Sequence, residues 1–200
     1  MKLYFVPRTR ALRPRWMLEE LGVPYELQVL NVAEGENKRP EYLAVHPLGS
    51  VPALEDGEVK LFESAAILQY LADKYPEKGL APQVGTPERG EYYMWMMFCM
   101  TTVEPPLVDI FHNTVLLSEP LRNPALADKG RKRFAEVAPV LEARLRGREF
   151  IVGERFSAAD LLLANLLGWA GMMGATADFP GLQEYAKRHT SRPAAKRAYA

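Results

Sequence analysis

Hydrophobic and polar positions in the first part of the chain repeat with the periods of strands and helices in turn. The pattern over residues 3–6 and 25–29 predicts two strands. Between them, apolar residues at helical spacing predict a helix over residues 10–21, and Gly22 is the stop signal that follows it. Because a helical crossover joins two strands in parallel, we expect these strands to be parallel.

A second group of elements follows the polar loop at residues 33–39. Asp56 and Gly57 form a pair that is typical of hairpin turns, and strand-like residues flank it on both sides. Ser64 precedes a run of good helix formers. The predicted elements are a short helix at 40–43, strands at 53–55 and 60–62, and a helix that begins at residue 64.

The pattern changes after Tyr75, where prolines and glycines become frequent. Frequent prolines and glycines are typical of an inter-domain linker, which we predict at residues 76–87. Everything after the linker has helical spacing. The sequence therefore predicts an α+β chain, with a βαβ-ββα domain over residues 1–75 and an all-helical domain over residues 88–200.

Two local signals in the helical part of the chain indicate where helices are interrupted or begin. The two prolines after Glu104 should interrupt or kink the first long helix. Ser157, followed three residues later by Asp160, is the sequence of a capping box that opens a helix. The predicted helices cover residues 88–100 and 128–146, the segment after Ser157, and two short segments that begin at Leu182 and Pro193.

Composition and charge exclude several classes of function. The 200 residues carry 25 basic and 25 acidic side chains, and this balance disfavours nucleic acid as the main partner. Cys99 is the only cysteine, so no internal disulfide can form, which fits a reducing compartment. We find no apolar run long enough for a signal peptide or a membrane span. We therefore expect a soluble, cytoplasmic protein with neither nucleic acid nor membrane as partner.

Two short segments carry candidate binding chemistry. Pro52 stands at the start of a predicted strand, which would leave the N–H and C=O of Val51 free to pair with a peptide-like ligand. Ser64 opens a helix whose first N–H groups and dipole favour an anion, and Glu63 beside it can take an ammonium group. A zwitterionic amino-acid head group fits both. The simpler interpretation is that Ser64 only caps the helix and Glu63 only complements its dipole.

These segments, in their order and spacing, resemble the cytosolic glutathione S-transferases, most closely the bacterial and theta-like branches, over essentially the whole chain. The resemblance implies a thioredoxin-like first domain with a cis proline at Pro52. It also implies that the Val51 backbone pairs with the cysteinyl part of glutathione and that Glu63 and Ser64 hold the γ-glutamyl head. The motifs are Gly49-x-Val51-Pro52-Ala53-Leu54, Phe62-Glu63-Ser64-x-Ala66-Ile67 and Phe156-Ser157-Ala158-Ala159-Asp160.

The resemblance leaves open which group activates the thiol. A free thiol has a pKa of about 8.5, so little of it is thiolate at neutral pH. Thr9 aligns with the serine that theta-like members use in the loop before the first helix, whereas a second alignment makes Tyr4 the donor, as in tyrosine-type members. Arg8 and Arg10 either lower the thiol pKa or are ordinary surface charges. Cys99 lies among apolar helical residues and is interpreted as a packed thiol.

The resemblance also suggests where the rest of the ligands would bind. Asn37, Lys38 and Ser50 occupy the positions where family members often bind the glycine carboxylate of glutathione. The hydrophobic substrate would lie against the first long helix of the helical domain, although most of that helix's large side chains could equally form core or dimer interface. These side chains are Tyr92, Tyr93, Trp95, Met96, Met97, Phe98 and Met100.

The resemblance thus implies a homodimeric detoxification enzyme, a transferase that conjugates the glutathione thiolate to small hydrophobic electrophiles. Glutathione is the co-substrate, and no metal is expected. The alternatives are a non-catalytic glutathione-fold binding or interaction protein, or a glutathione-dependent isomerase, dehalogenase or peroxidase. Threonine at position 9, in place of the serine, keeps the non-catalytic alternative open.

Overall fold

A computed structural model describes all 200 residues, and the chain divides into two compact units. Residues 1–81 and 192–200 form the first unit, and residues 82–191 form the second. The last helix is thus part of the first unit, and the limits at 76–87 and 88–200 stay a prediction. No helix in either unit combines the length and the apolar character needed to cross a bilayer.

The first unit contains a four-stranded mixed sheet and four α-helices. Its elements are β1 (Lys2–Phe5), α1 (Leu12–Leu21), β2 (Glu26–Val29), α2 (Pro40–Leu43), β3 (Ala53–Asp56), β4 (Val59–Phe62), α3 (Ser64–Lys74) and, at the chain end, α9 (Pro193–Tyr199). The spatial order of the strands is β2-β1-β3-β4. As predicted, β1 and β2 are parallel, whereas β3 is antiparallel to both β1 and β4. The predicted thioredoxin-like βαβ-ββα arrangement is therefore confirmed.

Helix α1 is held by α9 as well as by the sheet. The guanidinium of Arg192 makes two parallel bonds to the carboxylate of Glu20, at 2.7 and 2.9 Å, and Arg197 bonds to Glu19 at 2.7 Å. Trp16, which is fully buried, donates its indole N–H to the same Glu20 at 2.9 Å. Bidentate arginine–carboxylate pairs fix orientation as well as distance, so Arg192, directly before α9, and Arg197 within it hold α1 in position.

The loop that precedes β3 is held through its backbone carbonyls. Lys38 Nζ donates to the carbonyl of Leu48 at 2.9 Å, and Asn37 Nδ2 donates to that of Gly49 at 2.7 Å. The Tyr42 hydroxyl donates to the carbonyl of Ser50. Three successive carbonyls are thus bound by three side chains, and we call these three side chains the loop clasp.

Gly49 is required for this contact. Its φ is +61°, and a Cβ there would lie 2.3 Å from the backbone oxygen of Asn37. Left-handed backbone is unfavourable for residues with a side chain, and an overlap with backbone cannot be relieved by moving a flexible side chain. The glycine therefore allows the loop to approach the segment that carries the clasp.

The second unit is helical, as predicted, but several helix limits differ from the prediction by one to four residues, and the helix predicted from Leu182 begins at Pro180. The helix predicted at 88–100 ends at Phe98, and the one predicted at 128–146 begins earlier, at Pro124, because the side chain of Asn123 caps it by accepting from the N–H of Ala125 at 3.1 Å. The elements are α4 (Pro87–Phe98), α5 (Glu104–Phe111), α6 (Pro124–Leu145), α7 (Ala158–Met172) and α8 (Pro180–Thr190).

The predicted interruption before the two prolines is a wide helical turn rather than a break. Residues Cys99–Val103 form a π-helical turn, in which the N–H of Glu104 donates to the carbonyl of Cys99. Pro105 and Pro106 have no N–H and cannot continue the α-helical hydrogen bonds. The wide turn changes the hydrogen-bonding register just before these residues, so α4 continues into α5.

The predicted capping box is present, and its carboxylate is wholly buried. Asp160 accepts from the N–H and hydroxyl of Ser157 at 2.8 and 2.9 Å. It also accepts from the N–H of Ile151 at 2.7 Å and from the hydroxyl of Tyr185 at 2.6 Å. One side chain therefore joins the start of α7 to the preceding loop and to α8.

We expect Asp160→Ala to lower the free energy of unfolding by about 3–5 kcal/mol, because it leaves four buried donors without their acceptor. Asp128→Ala is the matched control, since Asp128 forms only an exposed pair with Arg131 and should cost less than about 0.5 kcal/mol. Urea unfolding followed by circular dichroism measures both. Equal losses in the two variants would contradict the role assigned to Asp160.

We expect Gly49→Ala to destabilise the protein by about 3 kcal/mol, the sum of left-handed strain and overlap with a backbone oxygen. Gly57→Ala is a close control, because Gly57 has a φ of +62° but a Cβ added there would meet nothing within 4 Å. It should cost only about 1 kcal/mol. The same unfolding measurement compares the two variants, and a Gly57 variant as unstable as the Gly49 variant would refute the steric argument.

Candidate functional site

Three segments of the first unit meet at one end of the sheet. Ala53 pairs with Tyr4 on one side and with Phe62 on the other. Beyond this point β1 ends at Phe5, Pro52 precedes β3, and Glu63 follows β4. The segments that begin at Val6, end at Pro52 and begin at Glu63 are therefore neighbours because of the strand register.

Val51 stands just outside the hydrogen-bonded ladder. The pairing of β3 begins at Ala53, so neither β1 nor β4 pairs with the Val51 backbone. The bond between Val51 and Pro52 is cis, as the resemblance implied. Pro52 is buried, whereas Val51 is half-buried. The backbone N–H and C=O of Val51 thus lie at the end of the sheet, outside its ladder, and their pairing with a ligand stays a prediction.

Ser64 does not cap helix α3, which corrects the simpler interpretation of the sequence. The residue in the cap position is Glu63, and no side chain caps the helix. Ser64 is the first helical residue and is 2 % exposed, and its Oγ accepts from Nη1 of Arg13 at 3.1 Å. Because Oγ acts as the acceptor in this bond, the hydroxyl hydrogen can still be donated to an anion.

Glu63 has an unusual backbone conformation. Its φ is 70° and its ψ is 108°, a region that residues with a side chain rarely occupy. The carbonyl of Glu63 accepts from the N–H of Ile67 at 3.0 Å, which starts the helix, while its side chain is exposed. Strained backbone of this kind is concentrated at functional sites, which supports a role for Glu63 beyond complementing the helix dipole.

Arg13 is the site residue that the sequence reasoning missed. The residue is 1 % exposed, although arginine is rarely buried without a partner. The signal was present in the sequence, because Arg13 shares the apolar face of α1 with Trp16 and Met17 at helical spacing. A cation on a buried helix face indicates a polar partner inside the protein, here Ser64.

The two hydroxyls considered for thiol activation are bonded within the protein. Thr9 donates to the carbonyl of Val6 at 2.7 Å and accepts from the N–H of Ala11 at 3.2 Å. Tyr4 donates to Oε2 of Glu55 at 2.7 Å. Glu55 lies opposite Lys2 in the sheet, two residues along β3 from Ala53. The Tyr4 hydroxyl therefore points along the sheet away from the end where Val51 lies.

The chemistry of Tyr4 also disfavours it as a thiol donor. Burial, together with the bond to Glu55, raises the pKa of Tyr4 well above its usual value. Donation to a sulfur would first require the loss of that short bond to a carboxylate. Arg8 and Arg10 both have exposed side chains in the loop before α1, and the φ of Arg8 is 61°.

The residues predicted to bind the glycine carboxylate lie in and beside the loop before β3. Asn37 and Lys38 belong to the loop clasp, where each donates to a backbone carbonyl. The Ser50 side chain is exposed, and its carbonyl accepts from Tyr42. Their part in ligand binding stays a prediction, and the structure adds an internal partner for each.

The large side chains of α4 are divided between two faces. Tyr92, Trp95 and Met96 are buried in the second unit, whereas Tyr93 and Met97 are exposed. The side chains after these, Phe98 and Met100, are half-buried, and Cys99 is fully buried, in line with its interpretation as a packed thiol. Glu104 is buried as well, and His112 is exposed.

Comparison with protein families gives two matches along the chain. Residues 1–73 match the model of the glutathione S-transferase N-terminal domain, and residues 95–193 match that of the C-terminal domain. The described residues contain no group of three His, Cys, Asp or Glu side chains placed to hold a metal ion.

Individual proteins agree with the family models. Glutathione S-transferase GST-4.5 of Xanthomonas campestris is 31 % identical over 182 residues, which cover 91 % of this chain and 87 % of the relative. Glutathione S-transferase F10 of Arabidopsis thaliana is 37 % identical over 150 residues, 72 % of this chain and 68 % of the relative. A sphingomonad glutathione S-transferase complexed with glutathione superposes with a TM-score of 0.85 at 31 % identity, covering 100 % of this chain and 97 % of that one. Since both domain models and relatives along most of the sequence agree with the observed fold, the chain belongs to the glutathione S-transferase family.

Proposed function

We propose that this enzyme conjugates the thiolate of glutathione to small hydrophobic electrophiles. The observation that carries the proposal is that strand register brings Val51, Glu63 and Ser64 together at one end of the sheet. A similar protein, the sphingomonad enzyme, has been solved with glutathione bound.

The γ-glutamyl head of glutathione would bind at the start of α3. Its carboxylate would accept from the Ser64 hydroxyl and from the first N–H groups of the helix, where the helix dipole also favours an anion. Its ammonium group would pair with the exposed carboxylate of Glu63. The N–H and C=O of Val51 would pair with the cysteinyl residue, in the manner of an added strand.

Arg13 would strengthen the carboxylate contact through Ser64. A hydroxyl that accepts from a guanidinium is polarised and becomes a better donor. Nη1 of Arg13 lies 3.1 Å from the Ser64 Oγ, and both residues are buried. Arg13 is therefore a positioning residue that orients the serine hydroxyl towards the ligand.

Thr9 is the proposed donor to the glutathione sulfur. Lowering the thiol pKa by two units requires about 2.7 kcal/mol of preferential stabilisation of the anion. The Thr9 hydroxyl lies in the loop before α1, and the dipole of that helix and the exposed Arg10 add positive potential. To donate, the hydroxyl has to rotate from the carbonyl of Val6 to the sulfur. Tyr4 remains bonded to Glu55.

The internal bond of Thr9 favours a second candidate function. If the hydroxyl keeps its 2.7 Å bond to Val6, glutathione binds without activation. The protein would then act as a glutathione-binding or interaction protein. Isomerase, dehalogenase and peroxidase activities remain alternatives that no single contact favours.

The cellular context follows from the same proposal. We propose that the protein is a cytoplasmic homodimer that detoxifies electrophiles. The exposed side chains of Tyr93, Met94 and Met97 on α4 support the dimer and the apolar substrate. Such a surface can pack against a second copy or bind an apolar molecule. Light scattering that shows only a monomer would contradict the dimer.

Thr9→Val and Thr9→Ser test the thiol donor. The valine keeps the branched shape without the hydroxyl, so we expect the pKa of bound glutathione to rise towards about 8.5 and kcat/KM at pH 7 to fall about 10- to 100-fold. The serine should retain most of the activity. The pH dependence of kcat/KM and the thiolate absorbance of the complex measure both effects.

Tyr4→Phe is the control for the alternative donor, and we expect its bound-thiol pKa to stay at the wild-type value. If the pKa of bound glutathione rises in Tyr4→Phe but not in Thr9→Val, Tyr4 and not Thr9 is the thiol donor. If the wild type binds glutathione without lowering its pKa, the non-catalytic function is correct.

A further inference from the structure

The loop clasp acts on the residues that lead directly to Val51. We propose that Asn37 and Tyr42 are positioning residues, which fix the direction in which Val51 presents its backbone to the peptide part of glutathione. This inference rests on the proposed function, because it takes Val51 as a glutathione contact. It assigns the Asn37 side chain to the protein's own loop and not to the glycine carboxylate of the ligand.

Peptide geometry links Tyr42 to Val51. The carbonyl of Ser50 and the N–H of Val51 belong to one peptide unit, which is planar, and in a trans unit the two groups point in opposite directions. The structure has only one cis bond, and it is the next one, between Val51 and Pro52. The Tyr42 hydroxyl that binds the Ser50 carbonyl therefore also sets the direction of the Val51 N–H.

Tyr42 is well suited to this task because its ring is fixed. It is buried in a cluster with Tyr4, Val45 and Ala53 on one face of the sheet, and its ring centroid lies 4.9 Å from that of Tyr4. Burial raises the pKa of Tyr42 to about 12, so the hydroxyl keeps its hydrogen at neutral pH. The loop is thus joined to the sheet core through a rigid donor.

Asn37 holds the preceding peptide unit. Its Nδ2 donates to the carbonyl of Gly49 at 2.7 Å, and the absent Cβ of Gly49 lets the backbone of Asn37 approach the same residue. A side chain and a backbone therefore contact Gly49 from one segment. Lys38 adds an exposed third bond, to Leu48.

Asn37 could bind the glycine carboxylate or orient Val51, and the two roles predict that its mutation weakens the binding of different ligands. A residue that binds the glycine carboxylate affects only ligands that contain glycine. A residue that orients Val51 affects every ligand that carries the cysteinyl peptide. γ-Glutamylcysteine, which is glutathione without its glycine, separates these cases.

The experiment measures the affinity of Tyr42→Phe and Asn37→Ala for glutathione and for γ-glutamylcysteine by calorimetry. We expect each variant to bind both ligands about five- to tenfold more weakly, and by the same factor for the two ligands, because one hydrogen bond is lost. Arg39→Ala is the matched control. Arg39 adjoins the clasp but pairs only with Glu36, at 3.2 Å, so its affinities should not change.

A second measurement needs no ligand. The backbone N–H of Gly49 donates to the carbonyl of His46 at 2.8 Å, and its hydrogen exchange should be faster in Tyr42→Phe and Asn37→Ala than in the wild type, and unchanged in Arg39→Ala. Faster exchange together with equal weakening of both ligands supports the proposal. Selective loss of glutathione affinity in Asn37→Ala overturns it, and so does unchanged affinity in both variants. A wild type that binds neither ligand instead refutes the proposed function, and the exchange rates then still report whether the clasp holds the loop.

Discussion

The double pairing of β3 is the constraint on which the site depends. Ala53 is fixed by Tyr4 on one side and by Phe62 on the other. A slip of one residue in either pairing would turn every side chain of the strand to the opposite face, and the buried face of the sheet opposes such a slip. The ends of three strands therefore stay aligned, and the chain after β1, before β3 and after β4 meets at one place. The proposed backbone contact at Val51 depends on this alignment. A backbone group that is out of place cannot be corrected by the rotation of a side chain.

The candidate site residues form hydrogen bonds inside the protein, but these bonds differ in their consequence for a ligand. Ser64 accepts from Arg13 and keeps its own hydrogen for donation. Thr9 already donates its hydrogen to Val6, so ligand activation has to replace a bond of 2.7 Å. This exchange yields less free energy than the formation of a new bond, since one bond is broken for each that forms. In the proposed site, binding of the γ-glutamyl head therefore breaks no hydrogen bond of Ser64, whereas activation of the thiol breaks the bond between Thr9 and Val6.

Much of the fold was predictable because periodicity and turn chemistry are local. The strands, the hairpin at Asp56 and Gly57, and the capping box at Ser157 and Asp160 all follow from residues close in sequence. Contacts between distant segments were not predictable in this way. The bond between Arg13 and Ser64 spans 51 positions, and the interaction of Asn37 with Gly49 depends on a left-handed glycine that only the structure shows. The wide turn at Cys99–Val103 was also missed, because two prolines indicate a disturbed helix but not the form of the disturbance.

Helix α1 links these distant contacts into one framework. Near its start, Arg13 reaches Ser64 on α3, and near its end Glu20 is held by Arg192 of the terminal segment. A helix fixed at both ends cannot rotate about its axis, because rotation would break a buried bond at one end and a bidentate pair at the other. The loop that carries Thr9 leads directly into this helix, so its position relative to Ser64 is set by the same two anchors. The last residues of the chain thereby contribute to the geometry of the proposed glutathione site, although none of them is a proposed ligand contact.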